Sequence, residues 1–202
     1  MKQKYSMIEK SFVMLKPDVL SRGLVGKIIQ RFEEQGLKLV AARLIKAKKE
    51  QVEKHYPVKD EKWATGIGRK STESFKNNKK KVKEAYGTTN LKEIGEIVYK
   101  AMLEYFTSGP MVIMVWKGNH AIKRIRNLVG STVPTFAEVG SIRGTYAFDT
   151  PPFAVKSGRI TFKTMIHASD SRKEAKREIE IWFGKNYKDL SKYERIDYIN
   201  MF

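Results

Sequence analysis

Strand-length apolar runs alternating with stretches of helical period constrain this chain more than any other feature. Residues 11–15 are β-prone and end just before Pro17. Val25, Ile28, Ile29 and Phe32 then recur at helical spacing, and Gly36 stops that helix in the C′ role. Residues 37–45 form a second strand, and 49–56 a short helix halted by Pro57. A helical pattern over 94–106 gives out at Gly109-Pro110. Residues 111–116 follow as a buried-type strand, 121–129 as a helix and 159–166 as a strand. The last long helix spans 171–183, opened by the capping box Ser171-Arg-Lys-Glu174, with Ala175, Ile179, Trp182 and Phe183 on one face. This order, β-α-β then α-β-α-β-α, predicts an α+β fold: a ferredoxin-like sandwich, with a four-stranded antiparallel sheet and helices on its faces, mainly on one of them. Period alone leaves a small parallel α/β fold open.

Between Pro57 and Asn90 the chain turns polar. Gly66-Ile-Gly-Arg-Lys and Gly87-Thr-Thr-Asn read as punctuation there, around a basic helical piece over 71–86. Residues 149–158 read as a loop fixed by Pro151 and Pro152, with some local order of its own.

One histidine stands out by its placement. His167 lies in Met165-Ile-His-Ala-Ser-Asp-Ser171, between an apolar run and the capped helix. Unpaired N–H groups and positive partial charge at a helix N-terminus suit a phosphate. Glu178 lies seven residues after Ser171, beside the apolar stripe, so its carboxylate can reach the imidazole and fix its tautomer. The other ring nitrogen is then free as a nucleophile. A helix-terminal histidine with a solvated glutamate is the alternative. His55 and His120 read as surface or cap residues, and three scattered histidines give little support for a metal site.

Composition excludes several chemistries. The chain has no cysteine, so disulfides and thiolate metal sites are ruled out. No Gly-x-x-x-x-Gly-Lys-Ser/Thr loop is present, which removes a P-loop mechanism. The first ten residues lack the apolar core of a signal peptide, and the apolar runs are too short to cross a bilayer, so a cytoplasmic protein without membrane contact is expected. The formal net charge of +18 favours polyanions. Lys79-Lys80-Lys81, residues 46–49, and the tail around Lys185 and Lys188 carry much of the excess; non-specific nucleic-acid affinity is its expected consequence.

The segment His167-Ala-Ser-Asp-Ser171 resembles the signature of nucleoside diphosphate kinases, whose active-site histidine lies in such a motif. Ser11-Phe-Val-Met-Leu-Lys16-Pro17-Asp18, followed by Arg22-Gly-Leu-Val-Gly26, is similar to that family's N-terminal segment. So are Ser108-Gly-Pro-Met-Val-Ile-Met-Val-Trp116, and Arg126-Asn-Leu-Val-Gly-Ser-Thr132 leading to Gly140-Ser-Ile-Arg-Gly144. The resemblance implies the same sandwich in a single domain over 6–202, with insertions at about 57–97 and 149–158 where the family is shorter. It implies a two-step transfer of the γ-phosphate of ATP to a nucleoside diphosphate through a phosphohistidine on His167.

By the same resemblance, Lys16, Arg126, Arg143 and Thr132 bind phosphate, Tyr56 lies beside the imidazole, and Ser169 holds Glu178. Magnesium is expected on the nucleotide phosphates, with no protein cage. A homo-oligomer, hexamer or tetramer, is implied through strand edges and a loop at 133–140. Two positions depart from the family. Thr164 replaces an asparagine that contacts ribose and phosphate, and Val98 replaces the base-stacking aromatic, with Trp63 available as a substitute. The rival readings are an RNA-binding sandwich, echoed by Arg143-Gly-Thr-Tyr-Ala-Phe148, and a catalytically silent relative.

Overall fold

The computed structural model describes residues 7–76 and 78–185; Lys188, most of the first ten residues and both ends of the 6–202 span lie outside the described residues. The elements in chain order begin with β1 (Ile8–Leu15), α1 (Pro17–Ser21), α2 (Val25–Glu33), β2 (Lys38–Lys46) and α3 (Lys49–His55). Next come α4 (Glu61–Thr72), α5 (Lys79–Tyr86), α6 (Leu91–Thr107), β3 (Pro110–Asn119) and α7 (Ala121–Val129). The chain continues through α8 (Ile142–Tyr146), α9 (Pro151–Lys156), β4 (Ile166–Ala168) and α10 (Arg172–Phe183). The strands form one sheet of order β2-β3-β1-β4 with every neighbouring pair antiparallel, which removes the parallel alternative. The predicted α+β sandwich is the observed fold.

Helices cover both faces of the sheet, which corrects the expectation of one dominant face. β1 and β3 are apolar at successive positions, and such strands must be buried on both sides. Val13, Leu15, Met114 and Trp116 pack with Ile28 and Phe32 of α2 and Ile125 of α7. Phe12, Met14, Ile113 and Val115 pack on the opposite face with Val52 of α3, Phe106 of α6, and Ile179 and Trp182 of α10.

Three local expectations are also corrected. The strand predicted over 159–166 begins only at Ile166, where pairing with Leu15 starts. Before it, Met165 has φ +62, Lys16 N–H donates to the Met165 carbonyl, and the Arg143 guanidinium donates to the carbonyls of Thr164 and Ile166. Those partners take the place of a strand ladder. The loop at 149–158, by contrast, has the local order expected of it: it contains α9, whose Thr150 hydroxyl caps the Phe153 N–H at 3.3 Å, with both prolines in the first turn where no N–H is needed. Asp149 anchors this segment by accepting two hydrogen bonds from Arg159 and one from Lys163 N–H.

The basic piece at 71–86 is two helices, not one. α4 ends at Thr72, a 3-10 turn follows, Lys76 adopts a left-handed φ of +49, and α5 restarts at Lys79 under the Asn78 cap. Gly66-Ile-Gly lies inside α4 rather than marking a turn. A Cβ on Gly68 would sit 1.9 Å from the Leu91 carbonyl oxygen, and one on Gly95 1.9 Å from that of Ala64. These two glycines let α4 and α6 approach backbone to backbone.

Candidate active site

Antiparallel register builds the site. Leu15 pairs with Ile166 and Met14 with His167, so Lys16, the next residue after β1, emerges beside the imidazole strand. Among the predicted residues, Lys16, Tyr56, Val98, Arg126, Thr132, Arg143, Thr164, His167 and Glu178 line one cavity of about 430 Å³. Ser169 stands behind it, fully buried.

His167 Nε2 lies 2.7 Å from Glu178 Oε1, and the Ser169 hydroxyl donates to Glu178 Oε2 at 2.5 Å. Ser169 Oγ also accepts from Phe12 N–H, which ties it to β1. Because the carboxylate accepts, the imidazole proton resides on Nε2 and the lone pair on Nδ1. The Ser171 cap, whose hydroxyl accepts from Glu174 N–H, starts α10 and sets the phase that brings Glu178, two turns on, under the ring; the Glu174 carboxylate pairs with Arg177 and does not complete a capping box.

Lys16 is buried, and its ammonium donates to Thr164 Oγ1 at 2.5 Å. Burial, reinforced by the Arg143 charge and opposed by Asp18, lowers its pKa to about 7. Asp18 is itself buried and accepts from the Tyr105 hydroxyl, fixing the turn after Lys16. Thr164, expected at the ribose, thus serves first as the acceptor for Lys16.

Arg143 spends most of its donors inside the protein. Nε binds the Thr164 carbonyl, Nη1 those of Gly130 and Ser131, and Nη2 that of Ile166, leaving one N–H of five for a ligand. Burial, then the Arg126 charge, lowers its pKa to about 10. Arg126 is exposed and has no ion-pair partner among the described residues. Val98 is buried beside Val82, Tyr86 and Ile94, whereas the larger apolar surface at the rim is Trp63 of α4, next to Tyr56 with ring centroids 5.7 Å apart.

Sequence reasoning misplaced His55. It is 2% exposed, with Nδ1 accepting from the Trp182 indole N–H at 3.1 Å and its ring 4.5 Å from that of His167. The signal was available: Val52 and His55, three apart on α3, share its buried face. The ligand atoms of His55, His167 and Glu178 lie within 4.8 Å of one another. A ligating histidine, however, donates its other N–H outward. Here that other nitrogen accepts one, so Nε2 keeps its proton and the trio is not arranged to hold a metal. His120 is exposed at the start of α7, as expected of it.

The nucleoside diphosphate kinase family model matches residues 9–65 and 64–187. A nucleoside diphosphate kinase of Pyrobaculum aerophilum is 44% identical over 176 residues, covering 87% of this chain and 95% of its own length. One from Methanobrevibacter smithii is 37% identical over 95% of this chain and 96% of its own. Among solved structures, an NDP kinase from Pyrobaculum aerophilum superposes with a TM-score of 0.81 at 42% identity, covering 89% of this chain and 98% of that one. A Borrelia burgdorferi nucleoside-diphosphate kinase described as a transition state mimic with bound vanadate and ADP gives a TM-score of 0.68 at 28% identity, covering 90% of each chain. On its sequence and on its fold, this chain belongs to the nucleoside diphosphate kinase family.

Proposed function

We propose that the protein transfers the γ-phosphate of ATP to nucleoside diphosphates in two steps, through a phosphohistidine on His167. The observation that carries this reading is the Ser169–Glu178–His167 chain, which leaves Nδ1 as the lone-pair nitrogen of a ring lining the cavity. Nδ1 attacks the γ-phosphorus, the P–O bond to the leaving diphosphate breaks, and Glu178 balances the positive charge gained by the ring. Lys16, Arg126, the remaining Arg143 N–H and the Thr132 hydroxyl hold the equatorial and bridging oxygens. Tyr56 borders the ring, with centroids 6.2 Å apart. The Borrelia burgdorferi relative, described as a transition state mimic with bound vanadate and ADP, supports phosphoryl transfer on this fold.

Magnesium would arrive with the nucleotide and supply positive charge to its phosphates. Three of the four cavity carboxylates suit that division: Glu178 is committed to His167 and Ser169, Glu174 to Arg177, and Asp60 to the start of α4, while Asp170 is exposed at the rim. Trp63 replaces the missing aromatic at Val98 as the stacking wall for the base. We take 6–202 as one domain, with 57–97 and 149–158 inserted into it. A homo-oligomer, hexamer or tetramer, is supported by apolar groups left exposed: Leu44 on edge strand β2, and Phe136 and Val139 in the 133–140 loop. Among the described residues no helix is long and apolar enough to cross a membrane. Cytoplasmic location and non-specific nucleic-acid binding, the latter from the +18 charge, belong to the same reading.

Incubation with Mg²⁺ and γ-labelled ATP tests it. Acid-labile label is expected on the protein, discharged to GTP on adding GDP; no label on folded protein overturns the reading.

The low pKa of Lys16 gives a second expectation. Free, the amine loses its proton as pH rises through about 7. A bound phosphate favours the charged form and raises the pKa back toward its ordinary range. On nucleoside diphosphate binding at pH 8 this amine therefore takes up about one proton, and its share of the exchange fades to none at pH 5 where it is already charged. Calorimetry in two buffers of different ionisation enthalpy reads this uptake, and Lys16→Met abolishes it.

A further inference from the structure

His55 has no place in the transfer just described, yet it lies against its centre. Its Nε2 is buried and has no hydrogen-bond partner among the described residues, and Glu178 Oε1 lies 3.7 Å away. The Trp182 indole can only donate, so the His55 Nδ1 that accepts from it carries the lone pair. A neutral ring then has its proton on Nε2, directed at the same carboxylate oxygen that accepts from His167. Burial first, then the charges of His167 on β4, Arg177 on α10 and Lys16 after β1, hold the His55 pKa well below its ordinary value, against the opposing charge of the Glu178 carboxylate.

We infer that His55 is a positioning residue that acts through Glu178, supplying a third hydrogen-bond donor to that carboxylate while His167 carries the phosphoryl group. This rests on the phosphohistidine reading above. Attack by Nδ1 makes the ring a cation, with phosphorus on Nδ1 and hydrogen on Nε2. In discharge, an oxygen of the acceptor's terminal phosphate bonds to phosphorus, the P–Nδ1 bond breaks, and its electron pair returns to Nδ1. With hydrogen still on Nε2, the departing group is neutral imidazole. If Glu178 takes that hydrogen first, the departing group must be imidazolate, and the phosphoenzyme is trapped.

A carboxylate with more donors is a weaker base. Ser169 already donates to Oε2 and His167 to Oε1; an inward shift of under 1 Å brings His55 Nε2–H from 3.7 Å to hydrogen-bond range of Oε1. The donation keeps the shared proton on His167. It also relieves the orphaned N–H, which is costly when buried. A charged His55 would instead repel the phosphorylated ring 4.5 Å away, so the indole bond that keeps it neutral belongs to the same device.

The test separates the two half-reactions and reads the tautomer directly. In His55→Leu, discharge of isolated phosphoenzyme by GDP is expected to slow about 10–100-fold, while charging by ATP changes much less, so label accumulates at steady state. His55→Gln places an amide N–H near the lost donor and recovers most of the discharge rate. ¹⁵N NMR of histidine-labelled wild type, simplified by having three histidines in all, is expected to show His55 protonated on Nε2 at pH 7. Equal slowing of both half-reactions, no recovery with glutamine, or a proton on Nδ1 overturns the inference. Absence of label on the wild type overturns the kinase reading instead, and the NMR measurement still decides the tautomer should His55→Leu fail to fold.

Discussion

Replacing His167 with alanine abolishes the phosphoenzyme and lowers GTP formation from ATP and GDP by on the order of 10⁴-fold or more. The size follows from what remains. Lys16, Arg143 and Thr164 are held by backbone and by one another rather than by the imidazole, so the phosphate cradle outlives the ring. Nucleotide affinity should therefore change by only a few-fold, since uniform binding is separate from the lost nucleophile. The fold should persist as well. β4 pairs with β1 through backbone at position 167, and the side chain is 21% exposed rather than a core filler. Without the ring, the Glu178 carboxylate keeps Ser169 as donor and gains room for water. Equilibrium dialysis with ADP, acid-stability of label and steady-state rates together check this. Activity within ten-fold of wild type would place the nucleophile elsewhere and sink the role assigned to His167.

The parts of this molecule that are legible in its sequence are those governed by local chemistry. The α7 boundaries, the Ser171 cap and the Gly36 stop depend on residues within a turn of themselves, and they read correctly. The Glu178–His167 pairing was also legible, because a capped helix fixes the phase of every residue that follows its cap. What escaped was set by partners far along the chain. Residues 159–165 have strand composition, yet the Thr164 carbonyl is claimed by Arg143 and that of Met165 by the backbone N–H of Lys16. Thr164 was read against a ribose, whereas its hydroxyl is engaged by an ammonium 148 residues earlier in the chain. His55 was read alone on a short polar helix; only the packing of α3 against α10 reveals the Trp182 bond that determines its tautomer. Family resemblance supplied the candidate residues, and could not supply how Arg143 divides its donors between the fold and the cavity.

The glycines of α4 and α6 give the second large effect, and its sign depends on which glycine is changed. Gly95→Ala is expected to destabilise the protein by about 2–4 kcal/mol, as overpacking against an unyielding partner does. The added carbon would meet the Ala64 carbonyl oxygen at 1.9 Å and its carbon at 2.6 Å, and backbone cannot rotate away as a side chain can. The helices must part, and α4 carries Trp63 and Ile67 of the cavity wall with it. KM for the nucleotide should rise more than kcat falls, because His167, Lys16 and Arg143 lie on the sheet side, outside the disturbed pair. Gly66→Ala, two residues from Gly68 on the same helix, meets nothing within 4 Å among the described residues and has helical backbone. There alanine's better helix propensity acts alone, and a gain of about 0.5–1 kcal/mol is expected. Urea denaturation of both variants beside wild type reads the two signs. A loss at Gly66 matching that at Gly95 would mean that helix interior, not close approach, governs both positions, and the contact between α4 and α6 would lose its part in shaping the nucleotide wall.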